Sequence, residues 1–228
     1  MRIAEIYQSI QGEGRLTGTQ SVFVRASGCN LRCWFCDTPY ASWSPEGADL
    51  SMEEIVEQVQ SYSADHVVLT GGEPMLFAEL LPLCARLHEL EKHITIETAG
   101  TLYLPLHCDL MSISPKLSSS APSATEHPKW HGRHLKTMHQ PEVIRALIRD
   151  YDCQLKFVVD SESELAEIED YLAAIPEINR QQVMLMPQGT TREELSQRQS
   201  WLAAYCDANG FTFCPRRQIE WFGMARGT

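Results

Sequence analysis

The chain has 228 residues, 43% of them hydrophobic, which is enough for one substantial core and gives no sign of a second domain. Thirty Asp and Glu against 19 Lys and Arg leave a formal net charge of -11, which argues against general affinity for nucleic acid or anionic membrane and favours an enzyme of small molecules. No apolar run approaches the roughly 20 residues of a membrane span and Met1-Arg2-Ile3-Ala4-Glu5 does not open a signal peptide, so the expected location is the cytoplasm, where eight cysteines read as thiols and metal ligands.

Short β-branched segments alternate with amphipathic helical stretches, the pattern of βα units around a parallel sheet. Strands are predicted at Ile3–Tyr7 and Val22–Arg25, followed by the densest motif of the chain, Cys29, Cys33 and Cys36 in a C-x3-C-x2-C loop that runs into Asp37-Thr38. Ser51 with Glu54 has the spacing of a capping box and starts a helix. The next strand, His66–Thr70, ends in Thr70-Gly71-Gly72-Glu73-Pro74, where two glycines let the backbone approach a ligand and Pro74 can open a helix. That helix is predicted to run to about Glu91 with Leu76, Leu80, Leu83 and Leu87 as its apolar stripe. Strand His93–Thr98 leads into Ala99-Gly100-Thr101, and strand Leu110–Ser114 into Pro115-Lys116. From Lys116 to Gln140 the chain is rich in Ser, Pro and His without clear periodicity, so a polar loop is predicted at about 117–140, a functional or mobile connection suited to a lid. Its histidines His127, His131, His134 and His139 match no metal-site spacing and read as solvated. A strand at Gln154–Val159, a helix from Ser161 with Glu164, a strand at Val183–Met186 and a helix from Thr191 with Glu194 to Asn209-Gly210 complete the rhythm. A last strand at Phe211–Phe213 begins a C-terminal extension from about residue 211.

These elements predict a single α/β domain over 1–228, best fitted by a partial, open β/α barrel. The alternative is an open doubly wound sheet, but the dinucleotide fingerprint is missing, because Gly12-Glu13-Gly14 has no third glycine and precedes no helix. In a parallel β/α barrel the site lies at the C-terminal ends of the strands, which brings the cysteine loop and the two glycines together.

Three thiolates at this spacing can fold around one iron–sulfur cluster, whose usual complement is four, and so leave one iron open to a small molecule. Structural zinc needs a closed set of four ligands, and no fourth Cys or His stands at finger-like spacing. Cys84, Cys108, Cys153, Cys206 and Cys214 show no ligand spacing and read as packing residues.

The run Cys29-Asn30-Leu31-Arg32-Cys33-Trp34-Phe35-Cys36 resembles the signature of the radical S-adenosylmethionine (SAM) superfamily. That resemblance implies a 4Fe-4S cluster on the three cysteines and SAM on the open iron, with SAM contacts from Phe35, Cys36, Asp37, Gly72, Ser114, Pro115 and Lys116. Phe35 would lie beside the adenine and Trp34 would shield the cluster, although both aromatics also suit ordinary packing. Lys116 suits a carboxylate or simply solvent. Within the superfamily the chain resembles the 7-carboxy-7-deazaguanine synthase family over most of its length: Ile10-Gln11-Gly12-Glu13-Gly14, Phe23-Val24-Arg25, Cys36-Asp37-Thr38, the Gly71–Pro74 turn, Ile96–Thr101, Ser114–Leu117 and Gln154–Val159.

The resemblance to that family implies conversion of 6-carboxy-5,6,7,8-tetrahydropterin to 7-carboxy-7-deazaguanine with loss of ammonia, in the route to queuosine. A deoxyadenosyl radical takes a hydrogen from C6, the ring contracts and SAM is regenerated. Gln11, Thr70 and the backbone of Ile10 and Gly12 would hold the pterin, Arg25 would face its carboxylate, and Thr38 would bind magnesium. A flavodoxin-type reductant and a homodimer are implied as well. Gln218 stands where the family often carries His, and Gln188 is a further candidate substrate contact. The competing readings are a glycyl-radical-enzyme activating enzyme and a ferredoxin-like electron carrier, the latter needing a fourth cluster cysteine.

Overall fold

The computed structural model describes residues 1–228. Two long strands, β1 (Arg2–Ile10) and β2 (Gln20–Ala26), pair antiparallel, and the two-residue strand β3 (Ala48–Asp49), which the sequence pattern did not reveal, adds to the outer edge of β1. From β2 onward every pairing is parallel, through β4 (His66–Gly71), β5 (His93–Thr98), β6 (Leu110–Ile113), β7 (Cys153–Val159), β8 (Val183–Pro187) and the short β9 (Thr212–Phe213). The order β3-β1-β2-β4-β5-β6-β7-β8-β9 does not close on itself, which gives the open barrel expected.

Side chains alternate across each strand with a period of 2, and this sets two environments against one sheet. Val67 and Leu69 of β4, Ile94 and Ile96 of β5, Met111 and Ile113 of β6, and Leu155 and Phe157 of β7 are buried in one continuous core of 36 residues. Each such side chain contributes roughly 1.5–3 kcal/mol by leaving water. Their neighbours Thr70, Glu97, Ser112 and Lys156 point the other way, into a cavity.

The helices that cover the core start where the caps lie. Ser51 and Thr191 form reciprocal capping boxes ahead of α1 (Met52–Gln60) and α6 (Arg192–Asn209), and at the 3-10 turn leading into α5 (Leu165–Ala173) the Glu164 carboxylate accepts from the Ser161 N–H. Gly210 ends α6 at φ 76°, a left-handed geometry that favours glycine. Helix α2 (Leu80–Glu89) starts later than predicted. Pro74–Leu76 is a separate 3-10 turn, because Glu73 caps it and Phe77 is extended, so Leu76 is 43% exposed and only Leu80, Leu83 and Leu87 form the buried stripe. Helix α4 (Pro141–Asp150), unpredicted, buries Ile144 and Leu147. No helix is long and apolar enough to cross a membrane.

The segment read as a structureless polar loop contains a 3-10 turn, Ser118–Ser120, and helix α3 (Pro128–Thr137). The one buried side chain of α3 is His134, not a Leu or Ile, which is why no apolar period appears in the sequence. The Arg32 N–H donates to His134 Nδ1 at 3.1 Å, and Nε2 lies 2.8 Å from Ser120 Oγ, whose own proton goes to the Leu117 carbonyl. His134 is therefore a neutral imidazole protonated on Nε2. Of the other three, His127 and His139 are exposed as expected, tilted against Trp43 and edge-on to Tyr171, while half-buried His131 has its Nδ1 2.8 Å from the Pro122 carbonyl.

Burial, and then the charge of Lys116, pushes His134 down to about 4. The unfolded chain, with a histidine near 6.5, takes up this proton first, so stability is lost as pH falls from about 6.5 towards 4. Chemical denaturation across that window should show the loss in the wild type and a shallower slope in His134→Gln; equal slopes would contradict the assignment.

Candidate active site

The inner face of the sheet opens into a cavity of about 310 Å³, a size that suits a small ligand. One wall carries the three thiols. The loop that presents them is fastened on every side: Arg32 donates from Nη1 to the Cys29 and Leu31 carbonyls at 2.7 Å, and Asn30 Nδ2 donates to Thr101 Oγ1 at 2.9 Å. Trp43 Nε1 donates to the Cys33 carbonyl at 2.9 Å, and Trp34 donates from its backbone N–H and its ring N–H to the carbonyls of Ser120 and Ser119. Cys29 Sγ accepts a long hydrogen bond from the Leu31 N–H, and Cys36 Sγ lies 3.0 Å from Ser42 Oγ.

Burial pushes the Cys29 thiol up to about 12 and the Cys33 thiol up to about 11. These sulfurs need a cation to become thiolates, and iron supplies one. The cavity lining contains these three cysteines, no fourth and no histidine, so the donor set suits an iron–sulfur cluster with one open corner and does not suit closed zinc. The remaining cysteines lie elsewhere, four of them buried, as packing residues.

Beside the thiols, the turn after β4 makes the closest backbone approach in the site. A Cβ on Gly72 would stand 2.2 Å from the Gly28 carbonyl oxygen and 2.5 Å from that of Ala41, and Gly71 has φ 144° with its own Cβ position 2.2 Å from the Ala26 carbonyl oxygen. Glu73, fully buried, accepts from Thr98 Oγ1 at 2.8 Å, the Ala99 N–H at 2.9 Å and the Met75 N–H at 3.1 Å, which locks the turn after β4 to the turn after β5. Burial raises its carboxyl against those hydrogen bonds.

The opposite wall is a chain of charges. Lys156 Nζ lies 2.9 Å from Glu13 and 3.5 Å from Glu97; Glu97 accepts from Thr70 Oγ1 at 3.0 Å and Gln11 Nε2 at 3.2 Å. Glu13 also accepts from Arg216 Nε at 3.3 Å and Gln218 Nε2 at 2.5 Å, and Arg216 reaches Asp37 and the Gly189 carbonyl. Burial opposes the charge on Glu13, but Lys156 and then Arg216 outweigh it and hold the carboxyl at about 2. Gln218 Oε1 is buried without a partner.

At the mouth, Arg25 donates from Nε to Glu5 at 2.7 Å and from Nη2 to Tyr7 at 2.9 Å, and Tyr40 donates to the same carboxylate at 2.8 Å. The tail Gly223–Thr228 lines this side, held by Arg226, which pairs with Glu5 and Glu46 and lies 3.9 Å over the Tyr40 ring.

Most residues singled out in the sequence meet in this cavity: Ile10, Gln11, Gly12, Arg25, Cys29, Cys33, Phe35, Cys36, Asp37, Thr38, Thr70, Gly72, Ser114 and Lys116. Pro115 does not; it is buried outside the lining, between Ser114 and Lys116 just past the end of β6. Gln188 is buried outside it too. Arg25 is not a free guanidinium but one engaged on two nitrogens, with only Nη1 making no hydrogen bond in the chain. Thr38 precedes the 3-10 turn Pro39–Ala41 without capping it, and its hydroxyl has only a 3.8 Å contact with Cys36 Sγ. Lys116 Nζ donates to the Ser114 carbonyl and hydroxyl, which folds it back over its own turn. Sequence reasoning missed Glu5, Tyr7, Glu97 and Lys156 as site residues. Glu97 and Lys156 carried a usable signal, since each is a lone charge inside an otherwise uncharged strand.

The three-thiol wall on an open parallel barrel defines a radical SAM enzyme, and the model of the radical SAM superfamily matches residues 23–120. The 7-carboxy-7-deazaguanine synthase of Rhodopirellula baltica is 47% identical over 227 residues, covering 99% of this chain and 88% of that protein. The protein of the same name from Halobacterium salinarum is 47% identical over 236 residues, covering 99% and 92%. In fold the chain is similar to the crystal structure of QueE from Escherichia coli, with TM-score 0.71 and 23% identity over 94% of this chain and 92% of that one. The chain belongs to the 7-carboxy-7-deazaguanine synthase family, whose membership in the radical SAM superfamily implies a 4Fe-4S cluster and SAM.

Gly72→Ala should fold but force the Gly71–Pro74 turn away from the cluster loop. Isothermal titration with SAM is expected to show binding weakened by on the order of tenfold or more, with thermal unfolding lowered by several degrees; unaltered SAM binding would show that the close approach is dispensable.

Proposed function

We propose that this cavity converts 6-carboxy-5,6,7,8-tetrahydropterin to 7-carboxy-7-deazaguanine with release of ammonia, within 7-deazapurine (queuosine) biosynthesis. The observation that carries the reading is the pairing, in one cavity, of a three-thiol wall with a facing wall of Gln11, Thr70, Glu97 and Lys156. Cys29, Cys33 and Cys36 would hold the cluster, which together with SAM would supply the radical chemistry of hydrogen abstraction. Phe35, Asp37, Gly72, Ser114 and Lys116 line the SAM side of the cavity.

On the other wall, the Glu97 carboxylate can only accept hydrogen bonds and already accepts those of Thr70 and Gln11, so it suits the N–H edge of a pterin. Ile10 and Gly12 offer backbone groups beside Gln11. Arg25, pinned by Glu5 and Tyr7, presents Nη1 to the substrate carboxylate with little rotamer freedom left to lose. Thr38 brings an uncommitted hydroxyl next to the cluster loop, a hard oxygen suited to magnesium. One hydroxyl without a carboxylate binds that ion weakly, so substrate oxygens have to complete its shell. The tail Gly223–Thr228 across the mouth suits a small molecule better than the backbone of a partner polypeptide, which disfavours the glycyl-radical activating role. A flavodoxin-type reductant, a homodimeric assembly and a cytoplasmic location complete the proposal.

Anaerobically reconstituted protein should release ammonia and form the deazapurine from the carboxytetrahydropterin only with SAM present. Cys33→Ala is expected to lose the cluster's absorbance and all turnover. Thr38→Ala should keep SAM cleavage but turn over on the order of 10- to 100-fold more slowly, with a raised magnesium requirement. Product formation by Cys33→Ala, or without SAM, would overturn the reading.

A further inference from the structure

We propose that the exposed basic face of α3, with Trp34 at its edge, is the docking surface for an acidic one-electron carrier protein. The inference deepens the reading of a reducible cluster on Cys29, Cys33 and Cys36 and rests on it.

The first observation is where the unpaired cations are. Twelve of the 19 Lys and Arg side chains are in ion pairs with carboxylates. Of the seven that are not, three are on α3, Lys129, Arg133 and Lys136, and a fourth, Arg32, packs against it over the Trp130 ring. Residues 116–139 carry four basic side chains and one acidic one, Glu126, in a chain of net charge -11. Lys129, Arg133 and Lys136 are exposed and spaced i, i+4, i+7, which places them on one stripe of the helix. Glu167, which reaches the start of the segment, has its carboxylate occupied by the backbone N–H and hydroxyl of Ser118.

The second observation is what this helix is bolted to. His134 of α3 accepts from the Arg32 N–H inside the cysteine loop, and the Arg32 and Arg133 guanidinium groups both lie over the Trp130 ring, at 4.1 and 5.0 Å. Trp34, flanked in sequence by Cys33 and by Phe35-Cys36, is 51% exposed and is fixed by Ser119 and Ser120 at the foot of the same segment. The positive stripe and an exposed aromatic thus share a rigid border with the cluster loop. Electron-transfer encounters use small interfaces whose approach is steered by charge, and exposed Trp and Arg are the side chains such contacts favour.

The partner is identified by that chemistry as a protein with an acidic rim around its redox group. In the encounter the carrier gives up one electron and the cluster takes it up, with no bond made and no proton moved. Nucleic acid fits less well, since three surface cations on a ten-residue helix neutralise few phosphates and the rest of the chain repels them.

The test compares holoenzyme with Lys129→Glu/Arg133→Glu/Lys136→Glu, and with the milder triple Gln variant should charge reversal disturb folding. Calorimetric titration with oxidised flavodoxin is expected to show affinity weakened at least tenfold and the wild-type salt dependence flattened. Cluster bleaching by reduced flavodoxin should slow in proportion, while bleaching by dithionite and dithionite-driven SAM cleavage stay at the wild-type rate. Unchanged flavodoxin affinity in both variants would overturn the proposal. So would a change in sedimentation with flavodoxin affinity intact, which would assign the face to a second copy of the chain, or tighter binding of an RNA oligomer than of flavodoxin to the wild type. Wild-type protein that binds flavodoxin but cleaves no SAM under dithionite would sink the reading of the cavity instead, and the calorimetric arm would still decide the surface.

Discussion

The buried ammonium of Lys156, held between the carboxylates of Glu13 and Glu97, is the interaction on which the site is built. It ties three separate parts of the chain, the turn after β1, the end of β5 and the middle of β7, to one point, and Arg216 draws the C-terminal segment into the same network through Glu13. Such an arrangement is a poor way to gain stability. Removing ions from water costs several kcal/mol each and the pairing does little better than return it, whereas apolar side chains of similar volume would pack at no such cost. Its consequence is positional: none of these groups can move without leaving another charge uncompensated, so Glu97 is presented to the cavity at a fixed place together with Gln11 and Thr70.

Against that charged wall stands one of the opposite character. The cysteine loop is held by backbone carbonyls, Arg32 and two tryptophan ring N–H groups, and its sulfurs lie where burial keeps Cys29 and Cys33 protonated until a cation arrives. Soft sulfur donors on one side and hard oxygen groups on the other divide the cavity between a metal cluster and a polar organic molecule. Glu73, whose three hydrogen bonds join the turns after β4 and β5, keeps the two walls in register without itself lining the cavity. A carboxylate in a motif is thus a brace here rather than a reagent.

The sequence made the strands and the thiol loop legible because their signals are local. The short β-branched segments located eight of the nine strands to within a few residues, and helical turns begin at all three predicted caps, Ser51, Ser161 and Thr191. What escaped was set by tertiary contact. Helix α3 shows no apolar stripe because its buried anchor is a histidine satisfied by the Arg32 N–H and Ser120, groups far from it along the chain. Pro74 opened a single turn rather than a helix because Glu73, held from β5, dictates the local geometry. Pro115 came into the SAM contacts as part of a motif, and the structure buries it outside the cavity lining. Arg25 looked free because its partners Glu5 and Tyr7 come from the neighbouring strand, a pairing that only register reveals.

Gln218 shows how a departure from a family pattern can be read physically. Its amide nitrogen donates to Glu13, so it belongs to the charged wall, and an imidazole in its place could keep that donor. The difference lies in the other atom. Gln218 Oε1 is buried with no partner in the chain, and a carbonyl oxygen left in that state costs about 1–3 kcal/mol. A ligand N–H that reached it would recover that cost on binding, whereas an apolar edge would not. The amide therefore preserves the network around Glu13 while leaving one buried acceptor of a cavity-lining side chain without a partner.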